Sequence, residues 1–204
     1  MPPEAKRSEM ASSERTASAG RPRSEEAHQA ILDATLALLS EMGFSALTVE
    51  GVAGRAGVGK ATIYRRWSSK LELVVDAFGQ LPAFEDADTG SLEGDLKVML
   101  RQYLENFLAT PLAMVYPSLA AERSHNPELG ERMDPLLKGR RRPLSAALLR
   151  AQERGEIAPD ADLELVSDLI VGPIAVRLFF RGTTIHPDMV DEMVALALSG
   201  VRVS

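Results

Sequence analysis

The chain has 204 residues, 45% hydrophobic and 25% charged, and no cysteine. That length buries a sizeable core in one large or two modest domains, and the absence of thiols excludes a disulfide scaffold, a thiolate zinc site and a cysteine nucleophile. The net charge of −6 argues against a nucleic-acid partner only as an average: residues 1–70 carry 10 basic and 8 acidic side chains, residues 71–204 carry 13 and 21. Between Gly51 and Leu71 stand Arg55, Lys60, Arg65, Arg66 and Lys70, with no acidic residue. At physiological salt each charge is felt over roughly 8 Å, so a positive face on an acidic body still attracts phosphate.

Met1 to Arg23 contains no Val, Leu, Ile or aromatic residue. Such a segment cannot offset its ordering entropy by burial, which predicts a disordered basic arm over residues 1–23 and no signal peptide. Ser24 then offers an N-cap, with Glu25 and Glu26 in the first turn; Ile31, Ala34, Leu38 and Met42 recur at helical spacing, and Gly43 supplies a stop. Thr48 caps a short segment with Val49, Val52, Ala53 and Ala56 on one face, broken by Gly57. A second short segment starts near Gly59 and carries Ile63 and Trp67. A longer one follows Ser68 or Ser69, striped by Leu71, Val74, Val75 and Phe78, and ends before Pro82.

The acidic run Pro82 to Gly90 predicts a connection, dividing the chain into residues 24–81, 82–90 and 91–204. Beyond Ser91 the pattern stays helical: one segment carries Leu92 to Phe107, and another runs from Leu112 to Arg123. A third spans Glu128 to Arg154 with a bend at Pro143, and a fourth runs from Asp160 or Asp162 to Arg181 with a kink at Gly172-Pro173. A last segment opens at Pro187. With no period-2 strand, the expectation is an all-α protein of about nine helices. The most apolar stretch, Leu163 to Phe180, is interrupted by Glu164, Asp168 and Arg177, which argues against a membrane span and for a cytoplasmic protein.

Thr48 to Trp67 reads TVEGVAGRAGVGKATIYRRW. Two short helices crossing steeply need a small residue at their contact (Ala53), a tight turn with positive φ (Gly57) and apolar anchors beneath the second helix (Val58, Ile63, Trp67). That is a helix-turn-helix pattern. With the anchors buried, Lys60, Ala61, Thr62, Tyr64 and Arg65 turn outward, and the backbone N–H groups of Gly59 and Lys60 face phosphate. Ala61 and Thr62 permit close approach to base edges, and Arg65 is suited to guanine.

Residues 24–80 resemble the DNA-binding domain of the TetR family of bacterial transcriptional repressors, through the spacing of Thr48, Gly57, Tyr64, Trp67 and Lys70 and the preceding Met42-Gly-Phe-Ser. The resemblance implies phosphate contacts from Thr48, Gly59, Tyr64 and Lys70, base-proximal roles for Lys60, Ala61, Thr62 and Arg65, and either role for Arg66. Two features depart from the family pattern. Gly51 and Gly54 sit inside the first helix of the motif at a cost of about 1 kcal/mol each relative to Ala, and Arg65-Arg66 replaces the more usual aromatic or histidine pair. Arg21 and Arg23 either reach a minor groove or the DNA backbone from the arm, or belong to a solvated tail.

Gly54 to Lys60 also has the glycine and lysine spacing of a phosphate-cradling loop. Ala61, however, stands where a hydroxyl should hold magnesium, and the preceding residues have helical rather than strand periodicity.

Residues 91–204 resemble, more weakly, the ligand-binding and dimerisation domain of the same family. What that implies is a homodimer on a palindromic double-stranded operator, released by a small, largely apolar effector; a DNA-binding dimer without an effector is the alternative. Candidate pocket residues are Met99, Tyr103, Phe107, Met114, Tyr116, Leu119 and Phe179, each also readable as ordinary core. Candidate interface residues are Val166, Leu169, Ile170, Ile174, Val190, Met193, Val194 and Ala197, also readable as intramolecular core. His28, His125 and His186 lack metal-ligand spacing, no nucleophile elbow occurs, and neither an enzyme activity, a metal nor a cofactor is expected. Lys138, Arg140, Arg141 and Arg142 form a basic cluster, read as a solvated face or as an anion or ligand-carboxylate site.

Overall fold

The computed structural model describes residues 20–181, 183, 185–186 and 188–199, without the side chains of residues 20–23, Leu112 and Phe179. Among these, every regular element is helical: α1 (Gly20–Ala46), α2 (Val49–Ala56), α3 (Lys60–Tyr64), α4 (Lys70–Gly79), α5 (Leu92–Leu108), α6 (Leu112–Arg123), α7 (Pro127–Arg140), α8 (Arg142–Glu153), α9 (Leu163–Ala175), a π-helical turn (Val176–Phe180) and α10 (Met189–Ser199). No helix among the described residues is long and apolar enough to cross a membrane.

Side-chain caps set five of the starts among the described residues. The Thr48 hydroxyl accepts from Gly51 N–H, Ser69 from Glu72, Ser91 from Gly94 and Asn126 from Leu129; Asp162 accepts from both Glu164 and Leu165. The first helix departs from expectation at its start. It is already formed at Gly20, so Ser24 lies inside it, and its hydroxyl and carbonyl accept hydrogen bonds from Arg66. Of the expected arm, residues 1–19 lie outside the described residues.

A tenth helix arises where one bent helix was expected. The break falls at Arg141, two residues before Pro143, which places the proline in the first turn of α8, where its missing N–H has no helical partner to lose. The chain also runs helically through Gly172-Pro173 and widens three residues later, where Arg181 N–H reaches back to Val176 O at 3.0 Å. The final helix starts at Met189; Pro187 lies outside the described residues.

Two hydrophobic clusters hold the helices together. One gathers α1–α4 around Leu32, Leu39, Val52, Ile63, Trp67, Val74 and Phe78, and also takes in Phe107, Val115, Leu119, Leu129 and Met133 from α5, α6 and α7. The other joins α5, α8, α9 and α10. Residues 82–90 are not a free connection, because Phe84 and Ala87 are buried in the second cluster. The buried Asp95 ties the same segment down, its Oδ1 accepting from Thr89 N–H at 2.6 Å and from the Thr89 hydroxyl at 2.8 Å. Met42, expected in the stripe of α1, is instead 48% exposed.

Gly43 breaks α1 with φ 77° and ψ 176°, a conformation open in practice only to glycine, and a Cβ there would stand 3.1 Å from Ser118 Oγ on α6. Gly43→Ala is therefore expected to lower unfolding free energy by about 1–3 kcal/mol. Gly54 is the opposite case: it sits in α2 with nothing within 4 Å of a built Cβ. Gly54→Ala is expected to stabilise by about 0.5–1 kcal/mol. Urea denaturation of both variants checks the two signs.

Candidate nucleic-acid interface and ligand cavity

The α2–α3 corner is built as its residues dictate. Gly57 adopts φ 67°, ψ 30°, and its N–H closes the end of α2 on Ala53 and Gly54 carbonyls. Val58 N–H bonds Ala53 O at 3.0 Å, and the small Ala53 lies buried between the helices. Ile63 and Trp67 anchor α3 from below; the Trp67 ring stacks on His28 of α1 at 5.1 Å, and its indole N–H donates to Asp76 of α4 at 2.8 Å. One aromatic side chain thereby fixes α3 to both supporting helices.

Lys60, Ala61, Tyr64 and Arg65 are exposed as a result, with Tyr64 at 53%, while Thr62, Arg66 and Lys70 are half-buried. Gly59 and Thr48 flank this face, both exposed. The Thr48 hydroxyl accepts a bond as a cap and keeps its own O–H for donation. Arg21 and Arg23 belong to the first turns of α1, and their side chains lie outside the described residues.

The cations differ in how they are held. Lys60 pairs with Glu50 at 3.0 Å, and this hydrogen bond holds the Glu50 carboxyl below its usual range. Arg55 pairs with Glu41 at 2.6 Å. Arg66 is bonded to Ser24, and Lys70 donates to Phe44 O at 3.0 Å while lying 4.4 Å from the Phe44 ring centre. Among the described residues Arg65 alone of the five has neither an ion pair nor a hydrogen bond from its side chain. Its charge is already free, whereas Lys60 must first give up Glu50.

The body of the protein holds a cavity of about 60 Å³ lined by Phe84, Tyr103, Tyr116, Leu137, Arg140, Arg141, Val171, Ile174 and Ala175. It adjoins an open groove of about 650 Å³ that shares Tyr116, Leu137 and Arg141 and continues past Arg123, Lys138, Leu149 and Leu163. Of the expected pocket residues, Tyr103 and Tyr116 line the cavity. Met99, Phe107 and Leu119 are fully buried in the clusters away from it, Met114 is 63% exposed, and the Phe179 side chain lies outside the described residues. Burial pushes the Tyr103 phenol up from its usual value. Sequence reasoning missed Phe84, Leu137 and Val171 as lining, and only the basic cluster around Arg140 signalled that this region faces anything polar.

The residues of the expected interface stripe divide between the interior and the surface of the single chain. Val166, Ile170, Ile174, Val190 and Val194 are buried within one chain, and Met193 and Ala197 are half-buried against the same cluster. Leu169 is exposed, and it continues a second stripe: Leu165, Leu169, Val176 and Phe180 along α9 and the π turn; Leu196 of α10 is exposed as well. No group of three or more metal-ligating side chains occurs among the described residues.

A buried-anchor helix-turn-helix with an exposed cationic face, carried on a larger helical body, defines a DNA-binding regulator of transcription. Residues 31–77 match the family model described as bacterial regulatory proteins, tetR family, and residues 86–197 that for the tetracyclin repressor-like C-terminal domain. The chain belongs to the TetR family of transcriptional regulators. It is 36% identical to an uncharacterized HTH-type transcriptional regulator, YdeS, of Bacillus subtilis, over 90% of this chain and 93% of that one. It is 33% identical to a DNA-binding transcriptional repressor TetR of Mycobacteroides abscessus, over 78% and 86%. Among solved structures it resembles the regulator FadR of Bacillus subtilis in complex with stearoyl-CoA, with a TM-score of 0.73 over 86% of this chain and all of that one, at 21% identity.

Proposed function

We propose that the protein is a repressor that grips a palindromic operator as a homodimer and lets go when a small, largely apolar ligand enters the body. The exposed face of α3 carries this reading, because its outward residues are those a major groove accepts: Arg65 for a guanine edge, Ala61 and Thr62 for close approach, and Lys60 beside them. Thr48, Gly59, Tyr64 and Lys70 contact phosphates around it; Arg66 joins them after leaving Ser24, and Arg21 and Arg23 add contacts from the start of α1. Two reading heads about 34–36 Å apart serve the two half-sites.

The second apolar stripe, Leu165, Leu169, Val176 and Phe180, supports dimerisation, since it lies exposed on one chain and is the kind of patch that marks an interface. The ligand occupies the Tyr103–Tyr116 cavity and its adjoining groove. The reading head is mechanically tied to that body: Phe44 N–H donates to Ser118 of α6 at 3.2 Å, and the Ser45 hydroxyl to Glu122 at 2.8 Å. A shift of α6 or α4 therefore moves α3, and a ligand that favours one dimer state changes the separation of the heads. FadR, a neighbour in fold, is named in complex with stearoyl-CoA, which supports a body of this shape holding an apolar ligand.

Selection of duplexes from a random pool tests the reading. The expected winner is a palindrome bound by two chains; salt-sensitive binding without sequence preference contradicts it.

A further inference from the structure

Arg140 ends α7 in an unusual electrostatic position. Its Nη1 donates to Leu81 O at 2.7 Å and to Phe78 O at 3.4 Å, and its Nη2 to Pro82 O, so the guanidinium closes the C-terminal end of α4. Its Cζ also lies 5.1 Å from the centre of the Phe78 ring. Yet it is half-buried and lines the cavity, and no carboxylate pairs with it among the described residues, although its neighbour Arg141 is paired with Asp168 at 2.9 Å. Carbonyls satisfy three of its five hydrogens without neutralising its charge. Burial pushes the guanidinium down from its usual value.

We propose that Arg140 receives the carboxylate of an apolar acid and, because it also holds the end of α4, makes the position of the reading head depend on that ligand. This rests on the ligand-responsive reading above and names the ligand's chemical class. Three of the five guanidinium hydrogens are engaged with Phe78 of α4 and with Leu81 and Pro82 just beyond it, leaving Nε–H and one Nη2 hydrogen, an edge suited to two carboxylate oxygens. The cavity of about 60 Å³ beside Arg140 leaves room for a small polar head such as a carboxylate. Val171 and Ile174 wall it, and the apolar remainder of the acid runs along Leu137 into the groove. Acid binding supplies the missing negative charge and draws Arg140, with the Leu81 and Pro82 carbonyls it holds, toward the cavity.

The test uses matched probes, hexanoate with hexanol and decanoate with decanol, plus decanoyl-coenzyme A, which has phosphates but no free carboxylate. Each is measured for affinity and for release of the selected operator, on wild type, Arg140→Gln and Arg140→Lys. The expected result is that at least one acid binds wild type about tenfold or more tightly than its alcohol. That preference and operator release should vanish in Arg140→Gln and fall sharply in Arg140→Lys. The lysine variant keeps a buried cation and guards against a glutamine variant that fails to fold. Equal binding of acid and alcohol, discrimination that survives in both variants, tighter binding of the thioester regardless of residue 140, or no binding by any acid would each overturn the assignment. Release by an alcohol alone rejects Arg140 while leaving ligand control standing; an operator that no apolar compound releases rejects both.

Discussion

Trp67→Ala is expected to lower unfolding free energy by about 3–5 kcal/mol, the range for deleting a buried aromatic side chain. Trp67 is only 3% exposed, and its removal takes away three things together: the packing beneath α3, the stack on His28, and the partner of Asp76. A loss of that size approaches the whole stability of a typical domain, so operator binding should disappear along with the reading head. Trp67→Phe keeps an aromatic plane against His28 and loses the indole N–H, at an expected cost of about 1–2 kcal/mol. Urea unfolding of both variants, followed alongside operator binding, separates the packing contribution from the hydrogen bond. Equal losses in the two would contradict the role given to the ring.

The second large effect concerns the outward stripe. Phe180 is 83% exposed and Leu169 53% on a single chain, so aspartate at either position meets solvent in the monomer and should leave its fold within about 0.5 kcal/mol of wild type. In a dimer the same charge is buried without a partner, which is costly. Leu169→Asp combined with Phe180→Asp is expected to convert the sedimenting species from dimer to monomer at micromolar concentration. Operator affinity should then fall by about 100-fold or more, because the second half-site no longer binds as a tethered event. Val190→Asp provides the contrast. That residue is buried within the chain, and the charge there should unfold the body rather than divide the dimer. A double variant that stays dimeric would place the interface elsewhere.

The reading head was legible because its determinants are local. A cap at Thr48, a positive-φ turn at Gly57 and the anchors Ile63 and Trp67 each act over a few residues, and the structure puts them where the spacing demands. What the sequence concealed was tertiary. α9 is apolar on two faces, so periodicity alone could not tell the Val166–Ile170–Ile174 row, which packs inward, from the Leu165–Leu169–Val176 row one residue out of phase. The same ambiguity leaves Met99 and Phe107 readable as pocket lining or as core; both are fully buried and neither lines the Tyr103–Tyr116 cavity. Charge partners were invisible for a related reason. Lys60 finds Glu50 across the turn, Lys70 finds a carbonyl at the end of α1, and Arg140 finds α4 through a difference of about sixty positions in the chain. Such pairings depend on how helices cross, which no short window of sequence encodes.

Arg65 decides whether α3 reads bases, since its charge has no partner among the described residues. Binding of Arg65→Ala to the selected operator and to every single-base variant of it is compared with Tyr64→Phe, which removes the hydroxyl proposed to contact phosphate. Arg65→Ala should lose about 1–3 kcal/mol of discrimination at one symmetry-related pair of positions, while Tyr64→Phe should weaken all duplexes alike. If Arg65→Ala weakens every duplex equally and leaves the base preferences untouched, α3 is not the reading helix.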